Sequence, residues 1–204
     1  MVGDQTDMIR LYEEIRSCTR CPLAASRTNA VPGVGPVPAE IMFIGEGPGF
    51  HEDRQGLPFV GAAGKFLDEL LASVGIERKD VYIANVVKCR PPNNRDPEPT
   101  EIEACRPYLD RQIALLRPRV IVTLGRYSMA RYFANASISR VHGQPKWHNG
   151  VCVVPMFHPA AALHQAKYRA LIEADFQKLP GLLAEARKQQ APPPPPPPQQ
   201  LSLF

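Results

Sequence analysis

The stretch Ile41-Met42-Phe43-Ile44-Gly45-Glu46-Gly47-Pro48-Gly49 places an apolar run directly before a turn of three glycines and a proline. An apolar run bounded by turn residues predicts a short buried strand. The glycines let the chain turn tightly and bring backbone N–H groups close to a ligand. Glycine and proline also follow strands in plain turns, so both interpretations stay open for this stretch alone.

Strands and helices alternate along the rest of the chain. Apolar runs predict further strands at residues 81–86, 120–124 and 151–154. Apolar residues at helical spacing predict helices near residues 8–18, 66–74, 100–116, 127–133 and 165–186. Such alternation is typical of a parallel sheet between helix layers. The sequence therefore predicts an α/β protein, a three-layer α/β/α sandwich with a central four-stranded parallel sheet.

Composition favours one soluble domain. The chain has 204 residues, 44% of them hydrophobic, and its net charge is +4. No apolar stretch approaches the roughly twenty residues of a membrane span. The mild charge permits a nucleic-acid partner without demanding one, so a DNA-binding face would be a local patch. We expect a domain at residues 1–188, a proline-rich linker at 189–198 and a separate tail at 199–204.

Four cysteines are spaced as a metal site: Cys18 and Cys21 form a short hook, while Cys89 and Cys105 follow much later. Thiolates suit zinc or an iron–sulfur cluster. A single hook favours a 4Fe-4S cluster over a zinc ribbon, which tends to use two hooks. Unligated thiols or a disulfide remain the alternative, disfavoured because no secretory leader is evident. Cys152, inside an apolar run, is interpreted as core.

Three loops with unusual composition follow strand ends, at residues 46–59, 85–95 and 157–159. The carboxyl ends of parallel strands face the same side of a sheet, so these loops should converge on one cleft. Phe59 suits stacking of a flat ring, the Asn85 amide can pair with the edge of a base, and His158 can donate to an oxygen that gains charge. Each has a structural alternative, as loop core, turn cap or core histidine. Together they predict a pocket for an extruded nucleobase.

The motifs at residues 45–49, 56–64, 85–92 and 158–160, with the four cysteines, resemble the family-4 uracil-DNA glycosylases, the iron–sulfur branch of that superfamily. The resemblance runs over residues 6–183. It implies the uracil-DNA glycosylase fold, a 4Fe-4S cluster, and hydrolysis of the N-glycosidic bond of deoxyuridine in DNA. Uracil would be released and an abasic site left for base excision repair.

The resemblance also implies a role for each cleft residue. Phe59 would stack the flipped uracil, and Asn85 would pair with its N3–H and O4. His158 would be catalytic, stabilising negative charge on O2 as the base departs. These residues form the substrate-reading part of the predicted site.

The remaining cleft residues would surround the sugar and the base edge. Glu46 would be catalytic, favouring oxocarbenium character or positioning water, with backbone contacts from Gly47 and Pro48. Glu52 would crowd C5 and exclude the methyl group of thymine. Leu163 is a candidate wedge into the space that the base vacates, with ordinary core packing as the alternative.

Two departures from related families bear on the reaction. Superfamily members that trap their product covalently carry Gln inside the first turn and a histidine-bearing insertion later. This chain has Gly47 and Asn93-Asn94-Arg95-Asp96 at those places. No lysine nucleophile emerges from the cleft motifs, so we expect a monofunctional enzyme that does not cut the strand.

The cluster is expected to act structurally, tying the first helix to the Cys89 loop and so holding three basic residues toward DNA phosphates, namely Lys88, Arg90 and Arg95. Two alternatives to this function remain: a clamp-tethered iron–sulfur module that binds DNA or senses redox state without catalysis, and a related glycosylase for a wider range of deaminated bases.

The last residues, Gln200-Leu201-Ser202-Leu203-Phe204, resemble the pentapeptide that binds the bacterial sliding clamp. In that resemblance Gln200 hydrogen-bonds, while Leu201, Leu203 and Phe204 supply the apolar contacts; a plain apolar end is the alternative. We expect a cytoplasmic, nucleoid-associated bacterial monomer whose partners are uracil-containing DNA, single- or double-stranded, and the clamp.

Overall fold

The computed structural model of the chain describes residues 2–189. Its helices are α1 (Val2–Arg16), α2 (Leu23–Ser26), α3 (Phe50–Gln55), α4 (Ala62–Ser73), α5 (Pro99–Leu116), α6 (Arg126–Ala130), α7 (Ile138–Val141), α8 (Pro159–His164), α9 (Lys167–Phe176) and α10 (Leu179–Gln189). Its strands are β1 (Ile41–Gly45), β2 (Tyr82–Asn85), β3 (Val120–Leu124), β4 (Lys146–His148) and β5 (Val151–Met156). Short 3₁₀ turns occupy Arg78–Asp80 and Pro92–Asn94.

The strands form one sheet in the order β2-β1-β3-β5-β4. β1 pairs in parallel with β2 and β3, and β3 pairs in parallel with β5. The predicted parallel core of the sheet is therefore confirmed. The predicted number of strands is wrong, because β4 adds an antiparallel edge strand beside β5.

The sequence did not predict β4, because this strand has no apolar run. It is three residues long, and Lys146 and His148 are exposed. The available signal was the turn that follows, where Asn149 and Gly150 have φ angles of 48° and 79°. Asn-Gly with positive φ at both positions is the preferred two-residue turn of a β-hairpin.

Helices cover both faces of the sheet, which confirms the three-layer sandwich. Successive side chains of β1 point to opposite faces. Phe43 packs on Phe176 of α9 with ring centroids 5.9 Å apart, whereas Met42 and Ile44 join a second cluster with Met8 of α1. Phe43 is fully buried, and burial of such a side chain contributes about 1.5–3 kcal/mol to stability.

The single closing helix predicted at residues 165–186 is two helices, α9 and α10. Pro180 lies in the first turn of α10. Proline has no N–H to continue a helical ladder but fits the start of a new helix, so the chain breaks just before it. Within residues 2–189, no helix has the length and apolarity needed to cross a bilayer.

At the opposite edge of the sheet, β2 is flanked by a short bridge. Val34 exchanges two backbone hydrogen bonds with Ile83, at 3.0 and 2.8 Å. The outer side of β2 is thus partly occupied by the chain that leads into β1.

Candidate active site

The loops after β1, β2 and β5 meet at a cavity of about 490 Å³ at the carboxyl edge of the sheet. The structure brings together there the four residues on which the sequence analysis depends, Glu46, Phe59, Asn85 and His158. The other lining residues are Gly47, Pro48, Gly49, Glu52, Ala63, Pro91, Asn94, Arg95, Ala160 and His164. All substrate-binding candidates from the sequence therefore line one cavity.

Asn85 ends β2 and is 1% exposed. Its side-chain nitrogen and oxygen have no hydrogen-bond partner within the described part of the chain. A buried polar group left unpaired costs about 1–3 kcal/mol, so such groups are rare unless a ligand completes them. The orphaned amide is one donor and one acceptor, presented at the cavity.

Gly45 is the residue that lets Asn85 and Phe59 approach β1. It pairs in register with Asn85. A Cβ atom at Gly45 would lie 2.4 Å from Asn85 Oδ1 and 2.7 Å from Phe59 Cε2. Any side chain at this position would displace both cavity residues.

Phe59 is held in an unusual backbone conformation, with φ of 53°. Left-handed φ is costly for a bulky residue and persists where the surroundings impose it. Gly64 packs against it so closely that a Cβ atom there would meet Phe59 O at 1.9 Å. The Phe59 and His158 rings stack with centroids 5.3 Å apart and planes 26° apart, forming one wall of the cavity.

Glu52 has a structural task that the sequence did not reveal. Its Oε1 accepts hydrogen bonds from Val60 N and Gly61 N, both at 2.9 Å. These N–H groups directly follow Phe59 and lead into α4. The carboxylate therefore fixes the loop that carries Phe59. The predicted exclusion of the thymine methyl group by Glu52 stays a prediction.

His158 caps α8, and its Nδ1 accepts a hydrogen bond from Ala160 N at 3.1 Å. Burial lowers the pKa of His158 to about 4, a shift that the charge of Glu52 opposes. The ring is therefore neutral near pH 7. With Nδ1 accepting, its proton sits on Nε2, which is left as a donor.

Glu46 has a carboxyl group suited to proton transfer near neutral pH. Burial and the negative charge of Asp96 raise the pKa of Glu46 to about 7, and Arg126 opposes the shift. Asp96 and Arg126 form an ion pair beside the cavity. This pair has no signature in the sequence, because Arg126 follows β3, a strand end without a recognised motif.

The prediction that Lys88 faces DNA phosphates is wrong. Its side chain is 1% exposed, and Nζ donates to Asn85 O at 2.8 Å and to Gln112 Oε1 at 2.6 Å. Burial lowers the pKa of Lys88 to about 8, opposed by the charges of Cys105 and Cys89. The side chain points into the protein beneath the cavity.

The other DNA-binding candidates lie at the surface. Arg90 donates to Asn94 Oδ1 at 2.7 Å and lies over the Phe50 ring, 5.2 Å from its centroid. Arg95 donates twice to Glu101, at 2.9 and 2.7 Å, so its charge is largely matched within the protein. Both stay predictions as phosphate contacts.

Leu163 lies on α8, one residue before His164 of the cavity wall, and is 51% exposed. The alternative interpretation of Leu163 as a core residue is therefore wrong. Phe50, just after the glycine-rich turn, is also an exposed apolar side chain, 48% exposed. Its place after Gly49 was a signal that the sequence analysis did not use.

The four cysteines of the predicted metal site line one small void beneath the Cys89 loop. Three sulfurs accept N–H groups: Cys89 Sγ from Arg27 Nη1 at 3.0 Å, Cys105 Sγ from Lys88 N at 3.3 Å, and Cys18 Sγ from Arg20 N at 3.5 Å. All five cysteines are free, and no disulfide joins any of them. Cys152 is buried in β5, as predicted.

Within residues 2–189, no three His, Cys, Asp or Glu side chains are arranged to hold a metal ion. The four cysteines nevertheless line one void, and thiolate sulfur is a ligand that suits both zinc and an iron–sulfur cluster.

Comparison with known proteins identifies relatives along most of the chain. A sequence model of the uracil DNA glycosylase superfamily matches residues 32–179. The type-4 uracil-DNA glycosylase of Sulfurisphaera tokodaii is 51% identical over 180 residues, which cover 83% of this chain and 82% of that protein. That of Archaeoglobus fulgidus is 51% identical over 179 residues, 83% of this chain and 89% of its own. That of Saccharolobus solfataricus is 49% identical over 191 residues, 89% and 88% of the two chains.

Proposed function

The chain belongs to the uracil DNA glycosylase superfamily, among its type-4 members, and from this premise we propose that its cavity removes uracil from DNA. The N-glycosidic bond of deoxyuridine is hydrolysed, uracil is released, and an abasic site is left for base excision repair. The observation that carries the proposal is the buried Asn85 amide without a partner in the described residues.

Uracil recognition follows from the chemistry of that amide. Asn85 Oδ1 accepts N3–H of uracil and Nδ2 donates to O4, which pairs both orphaned atoms. Cytosine presents an acceptor at N3 and a donor at position 4, so it leaves both buried atoms facing like groups. A site built to hydrogen-bond one edge rejects the wrong edge strongly, because its buried groups are then unpaired. The Phe59 ring supplies the stacking wall.

His158 stabilises the departing base. As the glycosidic bond breaks, its electron pair moves to the uracil ring and negative charge grows on O2. The neutral imidazole donates Nε2–H to that oxygen from a fixed position, because Nδ1 is held by Ala160 N. A preorganised donor of this kind typically contributes about 10²–10³ in rate.

Glu46 serves the water that attacks the sugar. Its pKa of about 7 leaves much of the group ionised at neutral pH and still able to accept a proton. The carboxylate takes a proton from water while its charge favours the oxocarbenium-like sugar. Within the described chain no lysine lines the cavity, so the reaction stops at the abasic site without strand cleavage.

We assign the cysteine site to a 4Fe-4S cluster held by Cys18, Cys21, Cys89 and Cys105. The four cysteines line one void, and N–H groups that donate to three of their sulfurs favour thiolate ligands. A single Cys-x-x-Cys hook favours a cluster over a zinc ribbon. When bound, the cluster supplies a cross-link and no electrons, since glycosidic hydrolysis moves none. It joins the end of α1 to the Cys89 loop and α5.

DNA contacts are proposed for the surface around the cavity mouth. Leu163 is exposed beside the cavity wall and is assigned as the wedge that fills the vacated space. Arg90 and Arg95 are assigned to phosphates. The surface that presents them is local, in keeping with the small net charge.

The tail, the linker and the location belong to the same proposal. Residues 190–204, including Gln200, Leu201, Leu203 and Phe204, lie outside the described residues. We propose that residues 199–204 bind a bacterial sliding clamp and that residues 189–198 are the linker that precedes them. We also propose that the enzyme acts as a monomer and works at the nucleoid in the cytoplasm. Deleting residues 199–204 should abolish clamp binding and leave cleavage of short oligonucleotides intact; unchanged clamp binding would contradict the assignment.

One gel tests the activity. The protein is incubated with single- and double-stranded oligonucleotides that contain one uracil, and then with hot alkali. We expect strand breaks at uracil only, only after alkali, and none in matched oligonucleotides with cytosine or thymine. Binding without breaks would instead support a non-catalytic DNA-binding module. Hypoxanthine and thymine mismatches in the same assay define the substrate range.

A further inference from the structure

Lys88 is a buried cation whose hydrogen-bond partners are both neutral. Nζ donates to the carbonyl of Asn85 and to the side-chain oxygen of Gln112. A lysine removed from water is costly unless negative charge lies near it. Lys88 lines the same void as the four cysteines of the proposed cluster site.

The backbone of Lys88 is fixed by two hydrogen bonds, one of them to a cysteine of that site. Its N–H donates to Cys105 Sγ at 3.3 Å, and its carbonyl accepts from Val31 N at 2.7 Å. The next residue is Cys89, whose sulfur also receives Arg27. The lysine therefore contacts the cysteine site through its backbone, and through its side chain it contacts the backbone carbonyl of Asn85, a residue of the cavity.

Lys88 belongs to a polar network that continues through Gln112 to Tyr82 and Tyr12. Gln112 Nε2 donates to Pro32 O at 2.8 Å and to Tyr82 Oη at 2.9 Å. Tyr82 Oη lies 2.8 Å from Tyr12 Oη of α1. The network joins α1, β2 and α5, and α1 and α5 carry or adjoin three of the four cysteines.

We propose that Lys88 is a positioning residue that joins the two sites: its ammonium balances the thiolate charge of the cysteine site, and its bond to the Asn85 carbonyl fixes the amide that reads uracil. The first half concerns the cysteine site alone; the second rests on the proposed function. Loss of metal from the cysteines would then loosen the base-reading residue without any change at the cavity surface.

The test compares full-length Lys88→Met with wild type in two measurements. One is the rate of iron loss to a chelator, followed by visible absorbance. The other is single-turnover uracil excision per iron-loaded molecule. We expect faster iron loss and slower excision, each by about 10- to 100-fold, as for residues that orient the ligands of a site. Wild-type values in both measurements would overturn the proposal.

Three controls separate the two halves. Lys79→Met removes an exposed lysine paired with Glu77 and should change neither measurement. Arg27→Met removes the donor to Cys89 without touching Asn85, so iron loss should quicken while excision falls less than in Lys88→Met. In an Asn85→Ala background, Lys88→Met should slow excision by less than about twofold if it acts through Asn85. A full additional loss there would refute that path.

Lys88→Gln covers failure of the methionine variant to fold. Its amide can donate to Asn85 O without carrying charge, so we expect rapid iron loss with better-preserved excision. Iron retention equal to wild type would overturn the charge-balancing half. If wild type excises no uracil, the proposed function fails by that result alone, and the iron-loss arm still decides the role of Lys88 at the cysteines.

Discussion

Asn85 and Lys88 lie three residues apart and are equally buried, yet their polar atoms are treated in opposite ways. The Asn85 amide has no partner within residues 2–189, while the Lys88 ammonium has two. Folding stability would favour pairing both. The unpaired amide therefore marks the place where a ligand completes the structure, and the paired ammonium marks the support beneath it.

Asn85→Ala should give the largest effect and separates activity from stability. It removes the uracil-reading pair, and rejection of substrates by an unpaired polar edge reaches about 10⁴ in other sites, so we expect at least about a 1,000-fold loss of single-turnover excision. The midpoint of thermal unfolding should not fall, because two unpaired buried atoms are removed. A marked drop in the midpoint would show that the amide is a structural group.

Glu46→Gln should lower excision by about 100-fold at pH 8, within the usual range for a general base. Because the base acts when deprotonated and its pKa is about 7, wild-type excision should rise as pH increases up to about 7 and then level off. The variant should lose that dependence. A raised carboxyl pKa also means that this group's contribution to stability falls as pH rises from its usual value towards 7. A rise in excision that persists in Glu46→Gln would assign the dependence elsewhere.

Gln112→Leu tests the hydrogen bonding of the Lys88 ammonium. It leaves Lys88 with one partner and removes the donors to Pro32 and Tyr82, so we expect unfolding free energy to fall by about 2 kcal/mol. Denaturant unfolding measures this directly. Gln112→Leu should lose more stability than Asn85→Ala does. For excision activity we expect the reverse, with the larger loss in Asn85→Ala.

Glu52→Gln should give the smallest effect, about a 10-fold loss of excision, typical of a residue that orients another. The amide oxygen can still accept from the Phe59 loop, but without charge. Glu52→Ala, which has no acceptor, should lose more. Equal activity in wild type and both variants would show that the loop holds Phe59 unaided.

The sequence located the cavity because its residues follow strand ends, and strand ends are readable from apolar runs and glycines. Asn85 and His158 could be placed in this way without knowledge of any side-chain contact. Lys88 could not, since a long basic side chain after a strand can turn outward to phosphates or inward, and only tertiary packing decides. The left-handed backbone of Phe59 and the hydrogen bonds of Glu52 to its loop likewise depend on residues nine or fewer positions apart, and their sequence pattern has no period.

The sequence predicted the layers of the fold but neither the edge strand β4 nor the break between α9 and α10, for related reasons. Buried parallel strands are continuous apolar runs, whereas β4 is short, polar and defined by its partner and its turn. The break between α9 and α10 was signalled by Pro180, which the apolar spacing across residues 165–186 obscured.

The two edges of the sheet bear on how copies of this protein could associate. One margin is β4, short and bearing exposed charge at Lys146, and the other carries the Val34 bridge on β2. Unpaired strand margins are where β proteins recruit further strands and aggregate. Within the described residues, one edge strand is three residues long and the other is partly bridged, so neither edge offers a long run of free backbone groups.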